Sequence, residues 1–382
     1  MTAATPGGPL GAIRVLEVGH VLAGPYCGML LADLGAEVIK IEPPETGDMA
    51  RGVGPHSIGP HNAYFASLNR NKKSVTLDLT TAAGQAALGR LAADSHALVT
   101  NMRPAVIKKL GLTYDALKQW NEQLVCVALT GYGLEGPYAD RPAYDYVVQA
   151  LAGIMALTGD PGAAPTKAGY SVVDNSAGIM GAVGLLAKIV EGNGGQVDIS
   201  LFDVMLSQLN YVAGAWLNAG ERPERYANGA HAYFVPAQLF ETRDGWLVLF
   251  ISHDGFWRRF AEEAGKPEWI DDPRFATMQT RHANRDVVVA AVGELMRTDD
   301  TASWVERLLR HDIVVAGVER LEAALDGELA RARDMVATIP TPDGPIRVVG
   351  SPFRMPDHAP AYAAPPLLGE HNAALLAKDA AE

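Results

Sequence analysis

Asp174 has the best-defined setting for covalent chemistry in this sequence. It follows the short run at residues 171–173 and stands where a segment rich in glycine and alanine begins, which predicts the start of a helix. Spacing alone favours an N-cap, whose side-chain oxygen accepts a backbone N–H two or three residues on. The alternative is a nucleophile, because a helix N-terminus keeps a carboxylate ionised. A carboxylate that attacks an activated acyl group forms an anhydride and divides one difficult transfer into easier steps.

His20 and the two cysteines are the other reactive side chains to consider. His20 lies beside a predicted strand end, but no Ser, Asp or Cys partner occurs at a recognisable spacing, which favours a structural histidine over an acid–base group. The other histidines show neither H-x-x-x-H nor H-E-x-x-H spacing, so no metal site is predicted. Cys27 and Cys126 lie in apolar segments and are expected to be buried, reduced thiols.

Residues 19–24 follow the first predicted strand, and Glu42 follows the second. This arrangement is typical of dinucleotide sites, but the G-x-G-x-x-G pattern is absent, so NAD binding is not expected. Two interpretations of the turn stay open. Its backbone N–H groups could bind another nucleotide, or it is an ordinary tight turn between a strand and a helix.

Strand and helix signals alternate through the first two hundred residues. Apolar strand segments at residues 13–18, 36–41, 73–79, 97–100 and 124–129 are separated by helical segments, one of them predicted to run from Arg141 to about Leu157. This alternation predicts an α/β fold with a mostly parallel sheet, which binds ligands beyond the carboxyl ends of its strands. Hairpin and helix signals follow from Pro223, so residues 225–320 are expected to form a smaller α+β domain.

Length and charge narrow the class of protein further. The 382 residues carry a formal charge of −12 and are 48% apolar, which predicts more than one folded domain and argues against nucleic acid as a partner. Residues 1–11 contain neither a basic nor an apolar signal region, and no run of about 18 apolar residues occurs. We therefore expect a cytoplasmic protein without a membrane segment.

Nine segments, in order along nearly the whole chain, resemble the class III CoA-transferases, the family of formyl-CoA transferase and the α-methylacyl-CoA racemases. They are residues 18–26 (VGHVLAGPY), 31–42 (LADLGAEVIKIE), 69–74 (NRNKKS), 101–104 (NMRP), 131–137 (GYGLEGP), 144–145 (YD), 173–174 (VD), 197–203 (VDISLFD) and 366–371 (PLLGEH).

The resemblance implies a domain plan and an assembly. A Rossmann-like large domain with a parallel sheet is expected over residues 1–205, followed by a linker at 206–224, the small α+β domain at 225–320, and a linker with a C-terminal return at 321–382. Two subunits are expected to interlock as a homodimer.

The resemblance also implies the site. Asp174 is then the nucleophile, the substrate is a coenzyme A thioester, and no tightly bound cofactor is expected. The residues that match CoA-binding positions of the family are Leu22, Ala23, Leu77, Asp78, Leu79, Thr80, Asn101, Met102, Arg103, Lys109, Arg141 and Tyr144. Two positions depart from the family pattern: Pro43 stands where relatives often carry Arg, and Thr80 where some carry Lys.

Tyr144 decides between branches of the family. It stands where the racemases carry a proton-transferring His, and a phenol, with a pKa near ~10, is a poor base at neutral pH. The glycine-rich loop of formyl-CoA transferase has no counterpart here. We therefore expect CoA transfer from an acyl-CoA, with succinyl-CoA as the best single donor, to a short carboxylic or dicarboxylic acid.

Three alternatives remain: a racemase-like enzyme, a carnitine-type CoA-transferase, and a CoA-binding subunit without catalysis. The second carboxylate of a dicarboxylate could pair with Arg225, His231 or Lys167, although a solvated surface role for each is an equal expectation.

Overall fold

The computed structural model describes residues 7–376. These residues divide into two compact units. The first unit comprises residues 7–152, 169–211 and 327–376, and the second comprises residues 153–168 and 212–326. Residues 1–6 of the N-terminal segment considered above lie outside the described residues, as do 377–382.

The strands of the described residues follow the predicted alternation in the first unit. In chain order they are β1 (Arg14–Val18), β2 (Glu37–Glu42), β3 (Ser57–Ile58), β4 (His61–Asn62), β5 (Lys72–Thr76), β6 (Ala97–Thr100), β7 (Val125–Thr130), β8 (Gly195–Ser200), β9 (Ala237–Glu241), β10 (Trp246–Phe250), β11 (Val314–Gly317), β12 (Val336–Ile339) and β13 (Ile346–Val349).

The α-helices of the described residues are α1 (Ala23–Asp33), α2 (Ala63–Leu68), α3 (Ala82–Ala93), α4 (Pro104–Lys109), α5 (Tyr114–Leu117), α6 (Asp145–Leu151), α7 (Ile154–Leu157), α8 (Val172–Glu191), α9 (Leu201–Gln208), α10 (Asn210–Ala219), α11 (Asp254–Glu263), α12 (Met278–Ala283), α13 (Arg285–Met296), α14 (Thr301–Arg310), α15 (Leu321–Asp326), α16 (Glu328–Ala332) and α17 (Asn372–Leu376).

A six-stranded parallel sheet forms the core of the first unit. Its strand order is β5-β2-β1-β6-β7-β8, which is the Rossmann order 3-2-1-4-5-6 when the strands are numbered along the chain. The inner strands are buried on both faces, so they read as continuous apolar runs in the sequence. The order reverses between β1 and β6, and the carboxyl ends of these two strands therefore border the crevice where such sheets bind ligands.

Close packing of α8 on α1 fixes where α8 begins. A Cβ at Gly178 would lie 2.9 Å from the carbonyl oxygen of Ala23, and a Cβ at Gly181 would lie 2.8 Å from Leu129. Glycine is therefore required at both positions for this approach. The small residues of α8 thus hold its first turn beside the start of α1.

The second unit contains an antiparallel sheet in the order β11-β10-β9. Asp244 and Gly245 lie in the turn that joins β9 to β10, as the hairpin signals of this region predict. Behind the sheet lies a core of large aromatic side chains, among them Trp257, Phe260 and Trp304, each no more than 2% exposed.

Two local predictions differ from the structure. The helix predicted to continue to Leu157 ends at Leu151, because Gly153 adopts a positive φ of 83° before α7 begins. Residues 153–168, which the sequence places in the large domain, belong to the second unit. In addition, β8 is a half-exposed strand with alternating burial that the sequence analysis does not predict.

Among the described helices, only α8 has the length and apolar composition that a membrane span would need. A core helix meets the same criterion, and α8 buries Val173, Ala177 and Leu185 among other residues.

Candidate active site

An open cleft of about 470 Å³ lies at the carboxyl ends of β1 and β6. Its walls come mainly from the turn after β1, the turn after β6 and the first turn of α8. Of the residues expected at the site, those that line it are Leu22, Ala23, Asn101, Met102, Arg103, Tyr144 and Asp174.

Asn101 holds the turn after β1 through both ends of its amide. Its Oδ1 accepts the backbone N–H of His20 at 3.0 Å, and its Nδ2 donates to the carbonyl oxygen of the same residue at 2.9 Å. A Cβ at Gly19 would lie 2.3 Å from Asn101 Oδ1, and one at Gly24 2.9 Å from it. The absence of a side chain at these two glycines therefore leaves room for the Asn101 side chain.

Buried charges hold the same turn from below. Lys40 Nζ donates to the carbonyl oxygen of Gly19 at 3.1 Å and pairs with Glu17 at 2.7 Å and Asp48 at 2.8 Å. Asp48 Oδ1 accepts the N–H of Val21 at 3.0 Å. Val21 has a φ of +67°, which is strained for a β-branched residue. The surrounding hydrogen bonds are what maintain this conformation.

The pKa values of these groups reflect the pairing. Burial alone would raise the pKa of Asp48, but the Lys40 ammonium and several hydrogen bonds outweigh it and hold this pKa far below its usual range. On the other side of Glu17 lies Lys72, 2.7 Å away, and burial lowers its pKa to about 8. Asp48 is thus a permanently ionised structural group.

Glu42 and His20 each have defined partners. Glu42 accepts hydrogen bonds from Arg51, Ser74 and the backbone N–H of Asp48, so it is engaged inside the protein. His20 Nδ1 accepts the N–H of Met49 at 3.3 Å and lies 3.6 Å from Asp48 Oδ1. His20 lines the cleft, and these two contacts orient its ring.

The first turn of α8 carries Asp174, but Asp174 does not cap it. Ser171 occupies the N-cap position and makes no capping hydrogen bond. The cap comes instead from Asp145 at the start of α6, whose Oδ2 accepts the N–H of Val173 at 2.9 Å and that of Asp174 at 3.4 Å. The N-cap interpretation of Asp174 is therefore wrong, and its carboxylate accepts no hydrogen bond from any described residue.

The ionisation of Asp174 also differs from expectation. The helix N-terminus was expected to keep it ionised, whereas burial and then the charge of Asp145 raise its pKa to about 7. Burial is the larger of the two causes, and Asp145, whose Oδ2 accepts the N–H groups of Val173 and Asp174, adds a second negative charge.

Asp145 and Tyr64 contribute to this site although the sequence alone does not reveal their roles. Asp145 is 4% exposed, and its Oδ1 accepts the Gln149 amide at 2.5 Å. Burial, followed by the charges of Asp174, Asp48 and Asp145, raises the pKa of Tyr64, which places its phenol near the nucleophile candidate. Asp145 stands inside a motif that the sequence analysis identifies. No local pattern marks Tyr64.

The remaining expected residues lie outside the lining of this cleft. Leu77, Asp78, Leu79 and Thr80 follow β5 and therefore stand at the same edge of the sheet, and Lys109 ends α4. Gln85 links these two groups by donating to the carbonyl oxygens of Leu79 at 2.6 Å and Leu110 at 3.0 Å. The side chains of Leu77 and Leu79 are core residues. Arg141 stacks on the ring of Tyr138 at 3.8 Å.

In the second unit, the candidates for binding a second carboxylate are engaged in other contacts. Arg225 donates to the carbonyl oxygens of Ala156 and Ala163 at 2.7 and 2.8 Å, which fastens residues 153–168 to the rest of that unit. Burial, with the Arg285 charge, lowers the pKa of His231, which disfavours the cationic form. Lys167 donates to the carbonyl oxygen of Ala168. Arg225 is therefore a structural residue.

The described residues contain no group of three or more His, Cys, Asp or Glu side chains that could hold a metal ion. Cys27 and Cys126 are buried and free, as expected, and burial raises the pKa of each thiol to about 12.

These features define an α/β protein of Rossmann topology with a carboxylate of elevated pKa in the crevice where the strand order reverses. The chain belongs to CoA-transferase family III, whose family model matches residues 10–372. The resemblance seen in the sequence is thereby confirmed. The protein is an acyl-CoA:carboxylate CoA-transferase.

Relatives with assigned activities support this class. The chain is 36% identical to a succinate–glutarate CoA-transferase of Agrobacterium fabrum, over 97% of this chain and 95% of the relative. It is 33% identical to an acetyl-CoA:oxalate CoA-transferase of Acetobacter aceti, over 100% and 98%. A CAIB/BAIF family protein from Brucella suis has the same fold, with a TM-score of 0.85, 32% identity, and coverage of 97% of this chain and 99% of that one.

Proposed function

We propose that this enzyme transfers CoA from succinyl-CoA to a short dicarboxylic acid, with Asp174 as the nucleophile. The relatives described above are named for succinate with glutarate and for acetyl-CoA with oxalate, so acids of this class are the first acceptors to test. CoA would lie along the carboxyl edge of the sheet, from the cleft at Leu22, Ala23 and residues 101–103 towards residues 77–80 and Lys109.

The first half of the reaction moves CoA onto the enzyme. An Asp174 oxygen attacks the thioester carbonyl, a C–O bond forms, the C–S bond breaks, and CoA leaves as the thiolate. The thiolate then attacks the Asp174 carbonyl of the mixed anhydride. The C–S bond forms, the anhydride C–O bond breaks, and succinate departs with one oxygen that belonged to Asp174.

The second half reverses these steps with the acceptor. The acceptor carboxylate attacks the Asp174 thioester and expels CoA thiolate, which then attacks the acceptor carbonyl of the new anhydride. The product thioester leaves, and Asp174 keeps one oxygen from the acceptor. Backbone N–H groups at the start of α1 are candidates for stabilising the oxyanions, because the first turn of a helix has N–H groups without intrahelical acceptors.

The setting of Asp174 carries this proposal. Its carboxylate lines the cleft and accepts no hydrogen bond from the described residues, and its own helix is capped by a different residue. A structural aspartate would be expected to have such partners. Its pKa is raised to about 7, so the anion, which is the attacking form, is accessible at neutral pH.

Oxygen tracing tests the proposal. The enzyme is incubated with unlabelled succinyl-CoA and a panel of acids, including glutarate and oxalate, each labelled with ¹⁸O in the carboxylates. New acyl-CoA species identify the acceptor by mass spectrometry. We expect one ¹⁸O atom per turnover to pass from the acceptor through Asp174 into released succinate. Direct transfer between substrates would also label succinate, but from the first turnover and without placing ¹⁸O in Asp174. An Asp174-containing peptide that carries no ¹⁸O after turnover would therefore reject the covalent route.

We also propose that the enzyme is a homodimer, with the subunits interlocked as the family resemblance implies. In the single chain, apolar side chains stay exposed on α8 (Ile179 45%, Val183 54%), on α6 (Leu151 55%) and on α9 (Leu206 42%). A second copy of the chain would cover them. Interlocked subunits cannot separate without partial unfolding, so sedimentation at nanomolar concentration should find no monomer, and a stable, active monomer would reject the proposal.

A further inference from the structure

The cap at the start of α8 is the feature of the cleft that the reaction scheme leaves unused. A helix is commonly capped by the side chain of its own N-cap residue, but here the cap is supplied by Asp145, a residue of another helix. Gln149 fixes the second oxygen of Asp145, and the side chain is buried. A charged cap brought in from a distance and held on both oxygens needs an explanation beyond helix stability.

The cap by Asp145 changes the electrostatic environment of Asp174. An aspartate in a first helical turn normally gains from the free N–H groups and the helix dipole, which stabilise its anion. Asp145 takes two of those N–H groups for itself and places a second negative charge nearby. Burial comes first and Asp145 second among the causes that raise the pKa of Asp174.

We propose that Asp145 is a positioning residue that fixes the first turn of α8 and keeps the Asp174 carboxylate strongly nucleophilic. This inference rests on the proposed function. A more basic carboxylate is the better nucleophile towards the thioester carbonyl. It is also the poorer leaving group after the anhydride has formed.

The basicity of Asp174 also influences which bond of the anhydride breaks when CoA thiolate attacks. CoA thiolate can attack either carbonyl: attack on the donor carbonyl expels Asp174 and returns to the starting state, whereas attack on the Asp174 carbonyl expels the donor acid. An ordinary carboxylic acid has a pKa near ~4.3, so the donor acid is the weaker base and leaves more readily than Asp174. Asp145 thereby increases the fraction of enzyme present as the CoA thioester.

Other ionisable groups around Asp174 must be separated from this effect. Besides Asp145, they are Tyr64 of α2 and, along the same cleft, His20, Arg103 and Tyr144. Histidine side chains as a class change charge near neutral pH, so His20 requires a control of its own.

The test is the pH dependence of kcat/KM for CoA transfer in the wild type and in Asp145→Asn. Asparagine keeps an oxygen for the cap but removes the charge. In the wild type, we expect kcat/KM to rise with pH along an ascending limb near pH 7. In Asp145→Asn, this limb should lie about one pH unit lower. We also expect the enzyme thioester, trapped with hydroxylamine after addition of succinyl-CoA alone, to decrease several-fold.

Two variants serve as controls. Asp203→Asn makes the same change in the first turn of α9, outside the residues that line the cleft, and should leave the limb in place. His20→Asn should also keep the limb near pH 7, although its rate can differ. If Asp145→Asn loses activity equally at every pH, Asp145 is a helix cap only and the inference is wrong.

If Asp145→Asn does not fold, a measurement on the wild type alone still tests the inference. A single-turnover rate of thioester formation that already reaches its plateau below pH 5 would overturn the inference. Failure of the proposed function has a different signature: no trapped thioester in the wild type, or full transfer by Asp174→Ala. If the wild type forms the thioester but the ascending limb of kcat/KM keeps its position in Asp145→Asn, only the role of Asp145 is rejected.

Discussion

Two aspartates in the first unit, Asp48 and Asp174, have opposite environments. Asp48 lies beneath the turn after β1 and interacts with Lys40 and with the backbone N–H groups of Val21 and Ala50. Asp174 lies in the first turn of α8, where the charge of the Asp145 carboxylate acts on it. Both are removed from water to a large extent, yet the pKa of one falls and that of the other rises. Burial alone therefore does not decide reactivity; the donors and charges around a carboxylate do.

The two environments suit Asp48 and Asp174 to different roles. The donors around Asp48 maintain a strained backbone at Val21 and leave that carboxylate with no capacity for chemistry. The first turn of α8 keeps its carboxylate without donors, which is unfavourable for stability and favourable for nucleophilic attack. A trade of stability for reactivity of this kind is expected at active sites.

The largest expected effect is on catalysis. Asp174→Ala should reduce CoA transfer by roughly a thousandfold or more, because the covalent route loses its nucleophile. The fold and CoA binding should be retained, since Asp174 contributes no hydrogen bond through its carboxylate. Transfer is followed by mass spectrometry of acyl-CoA species, and CoA binding by calorimetry. Transfer at the wild-type rate would return Asp174 to a structural role.

The environment of Asp48 is tested by removing the charge of Lys40, the cation that pairs with it. Lys40→Met removes the charge that balances Glu17 and Asp48 and should destabilise the protein by about 3–5 kcal/mol, the usual cost of breaking a buried ion pair. The matched control is Lys73→Met, since Lys73 lies on the neighbouring strand β5 and pairs with Glu37 at a partly exposed site. There the cost should stay below about 1 kcal/mol. Urea unfolding at one protein concentration measures both, and equal costs would contradict the contrast.

Asp174→Asn should act in the opposite direction and stabilise the enzyme that it inactivates. The pKa of Asp174 is about 7 when folded against a reference of 3.8, so the protonated form is favoured by folding. That contribution is fully present below pH 3.8 and is lost as the pH rises through 7. The non-titrating variant should match the wild type below about pH 4 and gain up to about 4 kcal/mol by pH 8.

Asp48→Asn provides the reference for this measurement. The depressed pKa of Asp48 means that its ionised form stabilises the folded state above the reference pKa, so the same substitution should destabilise at neutral pH. Unfolding curves from pH 4 to pH 8 distinguish the two signs. A loss of stability in both variants would show that Asp174 is a structural carboxylate like Asp48.

The sheet could be predicted from the sequence, whereas the charge environment of Asp174 could not. Strands buried on both faces leave long apolar runs at residues 97–100 and 124–129, and these correspond to β6 and β7. The cap by Asp145 and the approach of Tyr64 depend on how distant segments fold together. Spacing around Asp174 therefore indicated the start of a helix correctly and the wrong capping residue. The glycines of the turn after β1 likewise depend on a distant residue, because they accommodate Asn101.

The smallest expected effect concerns Tyr144, which is 64% exposed at the edge of the cleft. Tyr144→Phe should lower transfer only a few-fold, because a side chain that packs on the thioester keeps its ring when the hydroxyl is removed.

The racemase alternative predicts otherwise: Tyr144 would then exchange the α-proton of a 2-methylacyl-CoA, and the loss of its hydroxyl would abolish that exchange. Deuterium incorporation at the α-carbon in D₂O, with and without enzyme, separates the two. We expect none above the background rate, because a phenol is a poorer general base than the imidazole that the racemases carry at this position. Rapid incorporation that is lost in Tyr144→Phe would make Tyr144 a second reactive group opposite Asp174, and the contrast between one reactive and one structural carboxylate would no longer be enough to explain the site.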